Sequence, residues 1–436
     1  MKRFALDDLI IWKNSKNHKP LIIQGARQVG KTWLMKEFGR TQYENVAYIW
    51  FEGNPLMKEL FSKDMDVRRI LSGLELETGE KIEPHKTLII FDEIQNCPNA
   101  LTSLKYFNEN APEYDIVAAG SLLGVALHSG TSFPVGKVDF MDLRPMCFGE
   151  FLLALGQNKL FELLQSRDWD LIKVFKDRFI EALKQYFYVG GMPDVIKAFA
   201  DGNKDYSLAR QVQIRILNSY QNDFSKHIPT AHLERVRGLW NSIPMQLAKE
   251  NKKFVYSEVQ KGTSASTYEL SLGWLENCGL IHKISRVSKP AQPLKGYENT
   301  GAFKLFLCDI GLLSAMSMLN ERIILDDNKM FTEFKGALTE QFACQEMQFL
   351  PDSHLSYWTN NNATAEIDFV LGLGSSIIPV EVKAATNLKA KSLIIYRDKF
   401  EPEIMIRTSL ADYRQAGNLY DIPLYALAMT KEIVEG

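Results

Sequence analysis

The stretch that decides the fold runs from Leu21 to Met35 and reads LIIQGARQVGKTWLM. Three apolar residues at its start indicate a short buried strand, and the residues from Trp33 to Phe38 indicate a helix. Between the two lies a turn that contains two glycines. This turn either cradles the phosphates of a nucleotide or merely connects a strand to a helix.

The turn matches the pattern GxxxxGK[ST] at every position. In this pattern the glycines let backbone N–H groups point at phosphates, the lysine reaches the β and γ oxygens, and the hydroxyl ligates Mg²⁺. The positive end of the following helix adds to the attraction. The sequence therefore predicts a nucleotide site with Mg²⁺, made by Gly25, Ala26, Arg27, Gln28, Val29, Gly30, Lys31 and Thr32.

A second element, TLIIFDEIQN, places Asp92 and Glu93 at the end of an apolar strand. A carboxylate at this position holds the magnesium shell, and the next one polarises the water that attacks the γ-phosphate. The alternative is an acidic turn after a buried strand. Because Glu93 supplies a general base, the pair favours hydrolysis over binding alone.

Ser121 follows the apolar run DIVAAG and is a candidate sensor of the γ-phosphate. Its hydroxyl is equally suited to cap the helix that follows. Both interpretations stay open at this point.

The order of elements predicts four regions. Short apolar runs alternate with helical stretches over residues 1–150, which indicates a parallel sheet covered on both faces, an α/β nucleotide-binding architecture. Residues 151–235 are predicted to be a helical segment. Residues 236–318 read as a hairpin preceded by three helices, the order of a winged helix; the helices are LWNSIPMQLAKE, YSEVQKG and SASTYELSLGWLENCGL. Residues 319–436 read as a further α/β unit.

Composition excludes several classes of protein. The chain has 436 residues, 46% of them hydrophobic, and a formal net charge of -2, so contact with nucleic acid would have to be local. Its five cysteines lack CxxC spacing, which indicates reduced thiols and predicts no structural zinc. No apolar run approaches the ~20 residues of a membrane span. We expect a cytoplasmic protein with no membrane partner.

The C-terminal region contains a second set of charged residues. Asp368 lies in one predicted strand, and Glu381 and Lys383 share a face of the next. Two carboxylates and an ammonium in this order can hold Mg²⁺ and orient a water, as in a nuclease, and Glu340 on the preceding helix could complete the metal's ligands. The alternative is a hairpin with ion pairs and no metal.

The predicted winged helix carries little of the charge expected of a DNA reader. Its candidate recognition helix, SASTYELSLGWLENCGL, has no Arg or Lys. Basic residues flank it, so weak contact with a DNA backbone remains a hypothesis, and a structural or protein-binding role is favoured. These flanking residues are Lys252, Lys253, Lys261, Lys283, Arg286 and Lys289.

Several of these segments together resemble a known family. LIIQGARQVGKTWL, IIFDEIQ, VAAGSLLG, LRPMCFGEFL, YFYVGGMPDVI and EIDFV with PVEVKA are similar to the prokaryotic AAA-like ATPases in which a P-loop domain precedes a domain of unknown function with a restriction-endonuclease-like C-terminus. The resemblance covers nearly the whole chain. It implies an ASCE-type P-loop fold with an extra strand between the two nucleotide motifs, a winged helix in the middle, and ATP and Mg²⁺ as ligands.

The resemblance also implies roles for particular residues. The phosphate loop falls on residues 25–32, the magnesium and water carboxylates on Asp92 and Glu93, and the sensor on Ser121. The PD-(D/E)xK nuclease pattern falls on Glu340, Asp368, Glu381 and Lys383.

Three hypotheses follow. The leading one is an ATP-hydrolysing protein whose nucleotide state changes how its helical and C-terminal regions are presented to a partner. The second is a DNA nuclease that ATP regulates, and the third is a nucleotide-dependent interaction switch with little turnover. Oligomerisation is compatible with each of them, and the partner is not identified by the sequence.

Overall fold

The structure is a computed structural model. It describes residues 1–120, 134, 136–249, 252–262, 265–322, 332–360, 362, 364–384 and 391–435. The chain divides into two units. The N-terminal unit comprises Lys2–Arg144 and Gly273–Leu280, and the C-terminal unit comprises Pro145–Leu272 and Ile281–Gly436 together with Met1.

The N-terminal unit is built on a five-stranded sheet in the order β2-β3-β4-β1-β5, with every neighbouring pair parallel. Strand β4 therefore lies between β1 and β3, the strands that precede the two predicted nucleotide motifs. The strands are β1 Leu21–Gln24, β2 Asn45–Trp50, β3 Thr87–Asp92, β4 Asp115–Ala119 and β5 Asp139–Asp142. The helices are α1 Ala5–Asn14, α2 Lys31–Gln42, α3 Pro55–Lys63, α4 Val67–Thr78 and α5 Pro98–Asn110.

The sequence dictates this arrangement because the central strands are apolar on both faces. All six residues of β3 and all five of β4 are buried. A strand of this kind needs cover on both sides, which helices on a parallel sheet provide. On one face, Ile22, Ile89 and Phe91 belong to a single core cluster. The predicted parallel α/β architecture is confirmed.

The C-terminal unit contains an eight-stranded mixed sheet in the order β12-β13-β11-β10-β9-β8-β6-β7. Its strands are β6 Ile281–Val287, β7 Glu298–Leu307, β8 Ser353–Thr359, β9 Glu366–Leu373, β10 Ser376–Val382, β11 Met405–Ser409, β12 Arg414–Ala416 and β13 Leu419–Pro423. Short 3₁₀ turns occur in both units, at Ile94–Asn96, Tyr256–Glu258, Leu294–Tyr297 and Leu424–Met429.

Helices make up the rest of the regular structure described after residue 144. They are α6 Phe148–Ala154, α7 Asn158–Ser166, α8 Trp169–Val174, α9 Lys176–Val189, α10 Pro193–Asp201, α11 Tyr206–His227, α12 Thr230–Leu247, α13 Ala265–Asn277, α14 Ile310–Met316, α15 Thr332–Met347, α16 Lys391–Phe400 and α17 Thr430–Val434.

The hairpin that the sequence assigns to a wing is continuous with the C-terminal strands. Strand β6 pairs in parallel with β8, with Ser285 opposite Ser356 and Val287 opposite Trp358. The boundary predicted at residues 318 and 319 therefore does not interrupt this sheet. The segment YSEVQKG, predicted as a helix, contains a single 3₁₀ turn. The winged-helix and restriction-endonuclease-like domains remain predictions.

Buried hydrogen bonds join two sequence motifs in the C-terminal unit. We call this network, made by Met146, Tyr186, Gly191 and Asp309, the clasp. Met146 donates its backbone N–H to the Gly191 carbonyl at 2.6 Å, and the Tyr186 hydroxyl donates to the Met146 carbonyl at 2.5 Å. Gly191 in turn donates to Asp309 at 2.6 Å. The segments LRPMCFGEFL and YFYVGGMPDVI thus meet through their backbones, which accounts for the adjacent glycines that follow α9.

A buried glutamate beside this clasp makes folding depend on pH. Glu346 is 2% exposed and accepts one hydrogen bond, from the Phe148 N–H at 2.9 Å. Burial raises the pKa of Glu346 to about 8; the Phe148 N–H lowers it and the charge of Glu150 raises it. The folded state therefore disfavours the ionised form.

We expect Glu346→Gln to stabilise the protein at neutral pH. The pKa is raised on folding, so the cost of the charge is absent below about pH 4.5 and grows as the pH rises toward 8. At pH 7, which is 2.5 units above 4.5, removal of the charge is worth about 3–4 kcal/mol, since one pKa unit corresponds to about 1.4 kcal/mol. Urea unfolding at pH 4.5 and pH 7.5 measures this. Glu403→Gln, at an exposed position, is the control; equal effects of the two variants at both pH values would contradict the expectation.

Candidate nucleotide site

The phosphate loop connects β1 to α2 through a backbone that only glycine tolerates at its first position. Gly25 has φ +134°, and a Cβ there would lie 2.1 Å from the Leu143 carbonyl oxygen. Gly30 has φ +94° where α2 begins, and Gln28 also has positive φ, at +66°. Left-handed backbone at a non-glycine residue is uncommon and concentrates at ligand sites. The loop is thus shaped at three positions as a phosphate cradle requires.

The side chains of the other loop residues face different surroundings. Ala26 and Val29 are buried beneath the loop, whereas Arg27 is half-buried and Gln28 is exposed. Lys31 is 7% exposed, and its Nζ donates to the carbonyl oxygens of Gly25 and Ala26, both at 2.8 Å. The ammonium therefore lies inside the loop.

Burial lowers the pKa of Lys31 to about 8, against the opposing charges of Glu93 and Asp92. An ammonium held at such cost favours a binding partner with negative charge. The oxygens of a polyphosphate supply such a charge.

Asp92 ends β3 next to Thr32, the last residue of the loop motif. The Thr32 hydroxyl donates to Asp92 Oδ2 at 2.7 Å, and the Glu93 N–H donates to Asp92 Oδ1 at 3.0 Å. Hydroxyl and carboxylate oxygens are the donors that Mg²⁺ prefers. The residues present therefore fit a magnesium ion that these two side chains would hold, as the sequence predicts for them.

Glu93 follows Asp92 in a left-handed conformation, with φ +53°. Its carboxylate accepts a hydrogen bond from the side-chain amide of Gln95 and remains partly exposed. This placement suits a group that polarises a water.

Two residues of the site escaped sequence reasoning. The Tyr48 hydroxyl donates to Asp92 Oδ2 at 2.9 Å, and burial followed by the charge of Asp92 raises the pKa of Tyr48. Arg3, 3% exposed, donates to the Val29 carbonyl at 2.7 Å and to the Arg144 carbonyl at 2.6 Å. The guanidinium therefore supports the loop from its buried side. The sequence signal for Tyr48 is its polar hydroxyl within the otherwise apolar run VAYIWF, residues 46–51.

The segment Gly273–Leu280 of the N-terminal unit lies against the same loop. Gly279 has φ +68°, and a Cβ there would lie 3.1 Å from the Ala26 backbone nitrogen and 3.5 Å from the Gly25 Cα. The spacing between this segment and the loop therefore leaves little room for a side chain at position 279. Ser121, the predicted sensor, lies outside the described residues.

In the C-terminal unit the structure brings the second predicted set of residues together. Strands β9 and β10 are antiparallel with Phe369 opposite Val380, and Asp368 Oδ2 accepts a hydrogen bond from the Val382 N–H at 2.8 Å. Lys383 Nζ lies 2.5 Å from Glu381 Oε1. Glu340 is buried on α15.

Cations that the sequence did not associate with this set pair with Glu340. Lys252 Nζ contacts Glu340 Oε1, and Lys304 Nζ lies 3.7 Å from Glu340 Oε2. Lys252 was a candidate for DNA contact, but its side chain is 11% exposed. Its ammonium is therefore engaged inside the protein.

Two features are absent from the described part of the chain. In it, no helix combines the length and apolar character needed to cross a membrane. The described residues also hold no group of three or more His, Cys, Asp or Glu side chains arranged to bind a metal ion.

Three family models match successive parts of the chain. Residues 17–152 match an AAA domain, residues 180–322 match a domain of unknown function, DUF8612, and residues 335–427 match another, DUF4143. The curated proteins gave no match.

Solved structures with partial similarity include a Walker-type ATPase, Cdc6p and an Orc1 protein. The Walker-type ATPase PABY2304 of Pyrococcus abyssi is 16% identical, with a TM-score of 0.42 over 72% of this chain and 95% of that one. Cdc6p of Pyrobaculum aerophilum is 12% identical, with a TM-score of 0.25 over 72% and 92%. The Orc1 protein of Aeropyrum pernix, solved in complex with DNA, is 13% identical, with a TM-score of 0.26 over 72% and 90%.

The family match coincides with the residues that form the loop, the Asp92 carboxylate and the parallel sheet. It supports an AAA-like P-loop ATPase domain at residues 17–152.

Proposed function

We propose that the protein binds ATP with Mg²⁺ at the loop of residues 25–32 and hydrolyses it. The observation that carries this proposal is the 2.7 Å contact between the Thr32 hydroxyl and Asp92, with Glu93 immediately after it. A phosphate cradle, two magnesium ligands and a general base are then contributed by the ends of neighbouring elements. This set is what phosphoryl transfer to water requires.

Each residue has a defined part in this mechanism. Lys31 exchanges its bonds to the Gly25 and Ala26 carbonyls for bonds to phosphate oxygens and neutralises their charge. Thr32 and Asp92 would hold Mg²⁺, which would supply Lewis acidity to the phosphates. Glu93 accepts a proton from the attacking water, and Ser121 is proposed to sense the γ-phosphate.

We further propose that the nucleotide state is transmitted to the C-terminal unit. Support comes from the course of the chain: Gly273–Leu280 belongs to the N-terminal unit, while the residues on both sides of this segment belong to the C-terminal unit. Gly279 lies within van der Waals reach of the loop backbone. A loop that moves when it binds phosphates would therefore act directly on the segment Gly273–Leu280, which comes much later in the sequence.

The test is steady-state release of phosphate from ATP by the wild type and by Glu93→Gln. We expect turnover by the wild type and a decrease of about 100-fold or more in the variant, since a general base contributes about 10²–10⁴. ATP affinity should change little because Glu93 is proposed to act on the attacking water and not on the phosphates. Glu80→Gln, at an exposed position of the same unit, is the matched control.

The hydrolysis proposal fails if the wild type binds ATP without turnover, which is the behaviour of an interaction switch. It also fails if Glu93→Gln hydrolyses ATP as fast as Glu80→Gln. The same assay with and without DNA, and particle size in ATP and in ADP, tests the proposed DNA partner and oligomer.

The second candidate function is Mg²⁺-dependent nuclease activity at Asp368, Glu381 and Lys383. The adjacency of these side chains at the ends of β9 and β10 favours it. The cations paired with the neighbouring carboxylates weigh against it.

A further inference from the structure

The carboxylates of the C-terminal unit form a buried cluster whose charge requires compensation. Glu340 is 8% exposed and Glu381 is 4% exposed. Within the described residues, Glu340 Oε2 and Glu381 Oε2 have no hydrogen-bond donor. Two more acidic residues, Glu366 and Asp368, lie on one face of β9 because they are two positions apart. Glu366 and Asp368 are partly buried, and carboxylates withdrawn from water in this way require cations.

The cation at the centre of this cluster is a lysine of the chain itself. Lys304, on β7, has a side chain that is 0% exposed. Its Nζ lies 2.6 Å from Glu366 Oε1 and 3.7 Å from Glu340 Oε2. An ammonium that touches two carboxylates of different elements occupies the position that a bridging metal ion would take.

Two other lysines complete the compensation. Lys252 contacts the remaining oxygen of Glu340, and Lys383 lies 2.5 Å from Glu381. Four carboxylates therefore face three ammonium groups. A divalent ion that entered the cluster would have to displace these ammonium groups from the carboxylate oxygens that they contact.

We propose that Lys304 takes the place of a divalent cation in this cluster, so that the C-terminal unit holds its carboxylates together without Mg²⁺. The residues that match the PD-(D/E)xK pattern then form an internal ion-pair network. On this proposal the unit does not cut nucleic acid by metal-dependent chemistry, which rules out the second candidate function.

The proposal predicts that a metal binds only after Lys304 is removed. Lys304→Met keeps the length and apolar stem of the side chain, removes the cation that contacts Glu366, and leaves Glu340 with Lys252 alone. In EDTA and without nucleotide, we expect its thermal unfolding midpoint to be at least about 5 °C below that of the wild type. Addition of Mn²⁺ should recover a large part of this loss. The wild type and the surface control Lys289→Met should not respond to Mn²⁺.

Asp368→Asn separates this cluster from other sites. A rise in the wild-type midpoint on addition of Mn²⁺ that is absent in Asp368→Asn would show that the cluster already binds the metal, and would overturn the proposal whether or not Lys304→Met folds. A folded Lys304→Met that Mn²⁺ does not stabilise would overturn it as well. Lys304→Gln, which keeps a polar group in place, provides a second variant for the same measurement.

Discussion

Gly25→Ala is expected to destroy the nucleotide site while leaving the sheet in place. The added Cβ would lie 2.1 Å from the Leu143 carbonyl oxygen, and the backbone at Gly25 has φ +134°, which alanine rarely adopts. Overpacking costs about 1–3 kcal/mol and a backbone of this kind about 1–3 more, so a total near 4 kcal/mol is expected. The loop moves away from β5, and the positions of its N–H groups are lost.

Hydrogen bonds prevent the Leu143 backbone from moving away from the new methyl group. Its N–H donates to the Gln24 carbonyl at 2.9 Å, and the next carbonyl, of Arg144, is held by Arg3 at 2.6 Å. Displacement of Leu143 therefore breaks bonds on both sides of it, and the loop moves instead. Since each 1.4 kcal/mol is a factor of ten in affinity, binding of ATP should weaken by at least about 100-fold.

Titration of ATP and thermal unfolding of Gly25→Ala and Gly53→Ala measure this effect. Gly53 has φ +73°, but a Cβ at this position would have no heavy atom within 4 Å, so Gly53→Ala isolates the cost of positive φ, about 1 kcal/mol. If both variants bind ATP with wild-type affinity, the close approach to Leu143 does not shape the site.

The sequence was sufficient for the parts of this site that are local in the chain. The loop pattern, the apolar strands and the Asp92–Glu93 pair all lie within short segments whose periodicity and turn residues are visible directly. The parallel sheet followed from strands that are apolar on both faces. The carboxyl ends of β1 and β3 meet at one edge of such a sheet, which brings Thr32 and Asp92 within 2.7 Å.

Contacts between distant parts of the chain were not predictable from pattern. Arg3 supports the loop through the Val29 carbonyl, 26 positions away, and the Arg144 carbonyl, 141 positions away. No periodicity links these positions. The full reason for a glycine at position 25 is of the same kind, because it depends on Leu143.

In the C-terminal unit, too, contacts between distant parts of the chain were not predictable from the sequence pattern. Asp368 and the following strand are adjacent in sequence, so a hairpin brings them together, and Asp368 accepts a hydrogen bond from the Val382 N–H. The charge balance of the cluster depends on Lys252 and Lys304, which come from other elements. Lys252 in particular was assigned to a solvent-facing role, because sequence pattern reports the polarity of a residue but not its partner. Whether a set of carboxylates binds a metal depends on that partner.

Gly191→Ala is expected to cause the largest loss of stability in the C-terminal unit. A Cβ at this position would lie 2.1 Å from the Met146 carbonyl oxygen and 2.8 Å from its nitrogen. Both atoms already take part in hydrogen bonds, the nitrogen with the Gly191 carbonyl at 2.6 Å and the oxygen with the Tyr186 hydroxyl at 2.5 Å. Relief of the overlap therefore requires that the clasp open.

The size of the effect follows from what the clasp holds. Separation of Gly191 from Met146 breaks the buried hydrogen bond between them and weakens the bonds from Tyr186 to Met146 and from Gly191 to Asp309. Each is worth about 1 kcal/mol net, and more where a buried group is left unpaired. With the overlap itself, we expect a loss of about 4 kcal/mol in the free energy of unfolding. Urea unfolding followed by circular dichroism measures it.

Gly296→Ala provides the matched control, because Gly296 lies in the same unit, is exposed, and a Cβ there would meet its nearest atom, Pro293 Cγ, at 3.8 Å. This variant should unfold within about 0.5 kcal/mol of the wild type. If Gly191→Ala unfolds at the same urea concentration as Gly296→Ala, the two segments are not held by their backbones. If it loses stability as expected, the adjacent glycines of YFYVGGMPDVI are required for close packing against Met146. Positive φ would not explain that result, because the backbone at Gly191, unlike that at Gly25, lies outside the left-handed region.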